Sequence, residues 1–164
     1  SASVVDAHEL VNWVRLVKSP AEQDMLRAAG RIADSVMETA FAAIRPGRRQ
    51  CDVVAEILAA QARGSTGAQL SDLDVSGHGG SYPAIVPMLP SGAAAAAPHL
   101  TWDDRPMRAG EGTFFEIAGC YQRYHCPLSR TIFLGKPPAE MIEAEKAVLE
   151  GMEAGLAAAR AGNS

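Results

Sequence analysis

Pro98–Thr131 reads PHLTWDDRPMRAGEGTFFEIAGCYQRYHCPLSRT, and the fold turns on it. A histidine, His99, precedes a bend rich in Asp and Pro. An apolar strand follows, Gly112-Thr113-Phe114-Phe115-Glu116-Ile117-Ala118-Gly119, with one carboxylate at its centre. Burying an unpaired acid costs several kcal/mol. Glu116 is therefore expected to be either paired, with Arg130 or Arg123 as the available cations, or functional.

Spacing sharpens the choice. A hairpin of strands 113–118 and 122–133, turning between Tyr121 and Gln122, sets residue 116 opposite residue 127, with Cβ atoms roughly 5 Å apart. A second carboxylate at 127 would complete a grip for divalent cations. Position 127 is proline, which offers no ligand and is expected to remove a ladder donor.

Working outward, Ser19-Pro20-Ala21-Glu22 carries the signature of a capping box with proline at the first helical position. Leu26, Ala29, Ile32, Ala33, Val36, Met37, Ala40 and Ile44 then recur at three- and four-residue steps, which predicts an amphipathic helix of about seven turns stopped by Pro46-Gly47. Asp52 is expected to cap a second helix running to Arg63. Residues 64–81 are polar and glycine-rich. They read as a surface loop around His78, with a lid over a site as the alternative. Tyr82–Leu89 is short, apolar and broken by Pro83 and Pro87, which suits an edge strand. Ala139–Arg160 forms a last helix, and residues 1–18 read as a lead-in packing on the body.

Bulk properties narrow the class. The chain has 164 residues, 48% of them hydrophobic, enough for a cored domain rather than a disordered chain. Net charge is −4 with no basic run beyond Arg48-Arg49, which speaks against nucleic acid. No stretch approaches the ~20 apolar residues of a membrane span. Three cysteines, Cys51, Cys120 and Cys126, make no disulfide framework and point to a reducing, cytoplasmic setting. Cys120 and Cys126 read as small core residues, facing each other across the hairpin being the alternative.

His99, Tyr121, Tyr124, Arg130, Thr131 and, less exactly, Gly119 together resemble the creatinase and aminopeptidase P family, the pita-bread fold. Its members show a His, then Asp-x-Gly-x-x-Tyr-x-Gly-Tyr, then Ser-Asp-x-Thr-Arg-Thr. The chain departs at Glu116 and at Pro127, where metal-binding members carry Asp and where metal-free creatinase departs too. The resemblance implies an α+β fold: half of a pita-bread domain, with long helices packed on a curved, mainly antiparallel sheet. Residues 1–18 would then lead in from an N-terminal domain, and 19–164 would be the first half of the catalytic domain. The second half would supply another His and two glutamates. The alanine run after Gly92 would be loop or short strand, against its helical propensity.

The wording YPAIVPMLPSG, APHLTWDD and EGTFFEIAGCYQRYHCPLSRT resembles most closely a creatinase-like branch of the family. That branch opens the cyclic amidine ectoine to an N-acetyl-2,4-diaminobutyrate without metal or other cofactor. The resemblance implies Glu116 and His99 as catalytic, and Tyr82, Trp102, Tyr121 and Ser129 as substrate-binding. It implies a small-molecule partner and a homodimer. Glu116 could bind the amidinium, attack the ring carbon, or activate water. Other readings are a metal-dependent Xaa-Pro peptidase, a creatinase-like amidinohydrolase, and a non-catalytic ligand-binding relative. Ser129 stands where creatinase has a guanidinium-binding glutamate, which argues against creatine.

Overall fold

The computed structural model describes residues 2–64, 86–97 and 99–163. His78 and Tyr82 lie outside the described residues. The first long helix forms as its sequence dictates. It runs Pro20–Ala43 (α2, after a short α1, Leu10–Leu16), and its capping box is complete. The Glu22 N–H donates to Ser19 Oγ, and the Ser19 N–H donates to the Glu22 carboxylate at 2.8 Å. Of its periodic residues, Ala29, Ile32, Ala33, Val36, Met37 and Ala40 are buried and Leu26 is half-buried.

Helix α3 (Gln50–Gly64) packs on α2 through Val53, Val54 and Ile57. Asp52 is not its cap. It sits in the first turn and pairs with the Arg49 guanidinium at 2.8 and 2.9 Å. The free N–H groups at this end are met by backbone carbonyls instead. Gln50 donates to Arg105 and Cys51 to Asp103, each at 3.1 Å.

Strands β1 (Gly112–Tyr121) and β2 (Tyr124–Phe133) form an antiparallel hairpin. The loop is Gln122-Arg123, with φ of 48° and 69°. Two positive-φ residues mark the primed turn whose twist matches the flanking strands. This centres the hairpin one position later than the spacing suggests, which moves each cross-strand partner by two residues. Glu116 consequently faces Ser129, and Pro127 faces Ala118.

On its other edge β1 pairs with the segment 86–91. The Met88 N–H donates to Glu116 O at 3.0 Å, and the Glu116 N–H donates to Met88 O at 3.1 Å. The Phe114 N–H donates to Pro90 O, and Ser91 bridges Thr113. The pairing consists of isolated bridges at Met88 and Ser91 rather than a continuous strand, and residues 82–85 of the expected edge strand lie outside the described residues. Glu116 therefore spends its backbone groups away from β2. By the alternation of an antiparallel pair, Ala118 does the same. The missing N–H of Pro127 thus points to the outer edge of β2, and no ladder bond of the hairpin is lost.

Gly92–Ala96 is a turn of 3₁₀ helix rather than loop or strand. Short alanine runs tolerate that geometry, and Ser91 anchors its start through a 2.7 Å hydroxyl contact to Thr113. The last helix, α4, spans Ala139–Ala158. Among the described residues neither α1 nor α4 buries a side chain, and Trp13 is 67% exposed, so the lead-in does not pack on this body. No described helix is long and apolar enough to cross a membrane. The architecture is α+β, with helices on one face of an antiparallel sheet.

Candidate active site

The two faces of β1 have different fates. Thr113, Phe115, Ile117, Gly119 and Tyr121 are buried on the side of α2. Phe115 meets Phe41 edge-on at 5.8 Å. Gly119 lies so close to α2 that a Cβ there would stand 2.5 Å from the Ala33 nitrogen and closer still to the Ala29 carbonyl. Phe114, Glu116 and Ala118 occupy the other face. Cross-strand pairing adds Met88 from one neighbour and Pro127 and Ser129 from the other.

Glu116 is half-buried there, and its carboxylate makes no hydrogen bond or ion pair with a described residue. Arg130 does not neutralise it. Arg130 pairs with Phe115, on the other face, and donates to the Ser129 carbonyl at 2.7 Å. Arg123 sits at the exposed tip of the hairpin. Among the described residues the acid in the apolar strand is a carboxylate with no cation partner.

The remaining sequence-predicted residues divide. Ser129 is directly opposite Glu116, a non-hydrogen-bonded pair in which side chains approach closely. His99 is exposed, in the turn after the 3₁₀ helix where the Leu100 N–H donates to Ala97 O. No described contact joins it to Glu116. Trp102 is half-buried and packs on the hydrophobic core. Tyr121 is 2% exposed and lies on the α2 side, away from Glu116. Tyr82 falls outside the described residues.

The cysteines do not face one another. Cys126 pairs with Gly119, while Cys120 pairs with His125, its Sγ 3.6 Å from Nε2. All three are free, and burial pushes the Cys120 and Cys126 thiols up.

Two side-chain contacts hold the hairpin in place. The Gln61 amide of α3, fully buried, donates to Ala118 O at 2.9 Å. The Tyr124 hydroxyl donates to Glu22 Oε1 at 3.0 Å, tying the hairpin tip to the cap of α2. Sequence reasoning missed both, and missed Met88. A glutamine among Val53, Val54, Ile57 and Leu58 was the available signal for the first. Met88 had none, because its register against β1 is not fixed by any tight turn.

As a metal centre the face is poorly provided. Glu116 is surrounded by Met88, Ala118, Pro127 and Ser129, and no group of three or more His, Cys, Asp or Glu among the described residues could hold an ion. A two-metal clamp needs carboxylates that bridge. The donors present here do not fit one. Among the described residues the face sets one carboxylate opposite a hydroxyl residue, Ser129, and a thioether residue, Met88.

Known proteins agree with the fold and refine the chemistry. The profile of Metallopeptidase family M24 matches residues 24–164. The chain is 51% identical, over 99% of its length, to ectoine hydrolase of Halomonas elongata, and covers 39% of that protein. Among solved structures, prolidase from Pyrococcus furiosus superposes with a TM-score of 0.74 at 23% identity, over 88% of this chain and 39% of that one. Escherichia coli aminopeptidase P, in complex with substrate, gives 0.73 at 28% identity, over 91% and 31%. The chain thus spans about two fifths of the curated ectoine hydrolase and corresponds to half of a pita-bread domain. By its profile, its relatives and its fold, the chain belongs to the metallopeptidase family M24.

Proposed function

We propose that the protein containing this chain hydrolyses ectoine, opening its cyclic amidine to an N-acetyl-2,4-diaminobutyrate without a metal ion. The observation that carries the reading is Glu116: one carboxylate on the sheet face away from α2, with Ser129 and Pro127 where a second metal-gripping acid would have to stand. The high identity to the Halomonas enzyme supports the substrate.

Ectoine carries an amidinium and a carboxylate on one ring. Glu116 pairs with the amidinium through charge-assisted hydrogen bonds, about twice as strong as neutral ones. Water adds to the carbon between the two nitrogens, one C–N bond breaks, and the ring opens to an amide and an amine. Glu116 takes the proton of the attacking water, or itself attacks the carbon and is released by water. His99 passes a proton to the departing nitrogen. Ser129 donates a hydroxyl beside Glu116, and Trp102 walls the substrate. Tyr121, in the core, supports the strand rather than touching substrate.

A second reading is an Xaa-Pro peptidase, favoured by the family and by the prolidase fold. The test is to offer purified full-length protein ectoine, creatine and an Xaa-Pro dipeptide, each with and without chelator. Ectoine turnover that survives chelation supports the proposal. Xaa-Pro cleavage that requires added manganese overturns it.

A further inference from the structure

Glu116 has two direct cross-strand neighbours, and they differ in chemistry. Ser129 faces it from β2. Met88 faces it from the segment 86–91, fixed there by a reciprocal pair of backbone hydrogen bonds at 3.0 and 3.1 Å. Residues directly opposite in antiparallel strands share a face and bring their Cβ atoms to about 5 Å. Met88 is half-buried, and its pairing puts it on the face that Glu116 occupies.

The carbon between the nitrogens of a cyclic amidine has three substituents. In a ring that opens to an N-acetyl product, two are N–H groups and the third is a methyl. Around Glu116 the chemistry is matched in kind: a carboxylate and a hydroxyl for the N–H groups, a thioether side chain for the methyl. An unbranched, polarizable side chain shapes itself readily around a small apolar group. We infer that Met88 is a specificity-determining residue, the wall that receives the methyl on the reacting carbon and selects methyl-bearing cyclic amidines over the unsubstituted ring. The inference rests on the ectoine reading and adds to it the residue that reads the methyl group.

The experiment measures kcat/KM of full-length protein for ectoine and for the same ring lacking the methyl. One methyl in an apolar pocket is worth about tenfold or more in discrimination. Wild type should favour ectoine by that factor, and Met88→Ala should cut the preference about tenfold. Met88→Leu, close in volume, should hold the ratio within about threefold. Met88→Phe should fill the methyl's space and reverse the preference. The strand pairing at 88 is made by backbone, so the four proteins are compared at matched thermal stability.

A ratio unmoved in both Met88→Ala and Met88→Phe, with ectoine turnover intact, overturns the role of Met88 alone. Turnover of neither ring by wild type overturns the ectoine reading, and the inference falls with it.

Discussion

Glu116 is the residue on which the chemistry depends. Its position was legible in the sequence because an acid in the run Phe114-Phe115-Glu116-Ile117 breaks the pattern of its own strand. Its partners were less so. The sequence offered Arg130 and Arg123 as neutralising cations, and the structure places the first on the other face and the second at the hairpin tip. Among the described residues the carboxylate has no cation partner, which is consistent with the proposed role. Full-length Glu116→Gln should lose ectoine hydrolysis by on the order of 10²–10⁴-fold while keeping its thermal midpoint, the span expected for losing a positioned acid–base group. Wild-type turnover in that variant would remove Glu116 from the mechanism. Gly119 is the matching structural residue. A methyl there meets the backbone of α2, which cannot yield as a side chain can. Gly119→Ala should destabilise the full-length protein by roughly 3 kcal/mol, as forced overpacking does, read as a lowered denaturation midpoint.

At the scale of elements, helices were easier to read than registers. The start of α2 was fully encoded in Ser19-Pro20-Ala21-Glu22, since a capping box depends only on residues three apart. The start of α3 was not. Its donors are met by carbonyls of residues 103 and 105, some fifty positions away, so the search for a local side-chain cap settled on Asp52 instead. The hairpin turn was misplaced for a related reason. Gln122 and Arg123 take positive φ without the Asn or Gly that announces such a turn. The capping box also gives a pH signature. The Ser19 backbone N–H first, then the Ser19 and Tyr124 hydroxyls, hold the Glu22 carboxyl below the usual glutamate range. A carboxyl held low in the folded state gives stability that is full above its unfolded pKa and fades as pH falls through the folded value. Glu22→Gln should therefore lower the thermal midpoint at neutral pH, and its difference from wild type should close on acidification below the ordinary glutamate range. A difference that stays constant with pH would contradict the role given to this carboxylate.

At the scale of the molecule, the helices cover one face of the hairpin and leave Glu116 on the other. The α+β architecture was legible through the resemblance that His99, Tyr121, Tyr124, Arg130 and Thr131 together bear to the creatinase and aminopeptidase P family, because a set of motif residues survives drift that blurs each one, and the match to family M24 agrees with it. The composition of the face around Glu116 was not legible, since it is assembled from two strands and the bridged segment 86–91, whose mutual register no local motif specifies. Among the described residues of this chain that face carries one carboxylate, in a family named for its metals, and the proposed metal-free reaction depends on this difference. The most direct test is the rate of ectoine opening by full-length protein stripped of metal with a strong chelator, beside the untreated enzyme. The account predicts the same rate in both, with no gain on adding manganese or cobalt. A rate that collapses on stripping and returns with either ion would contradict it.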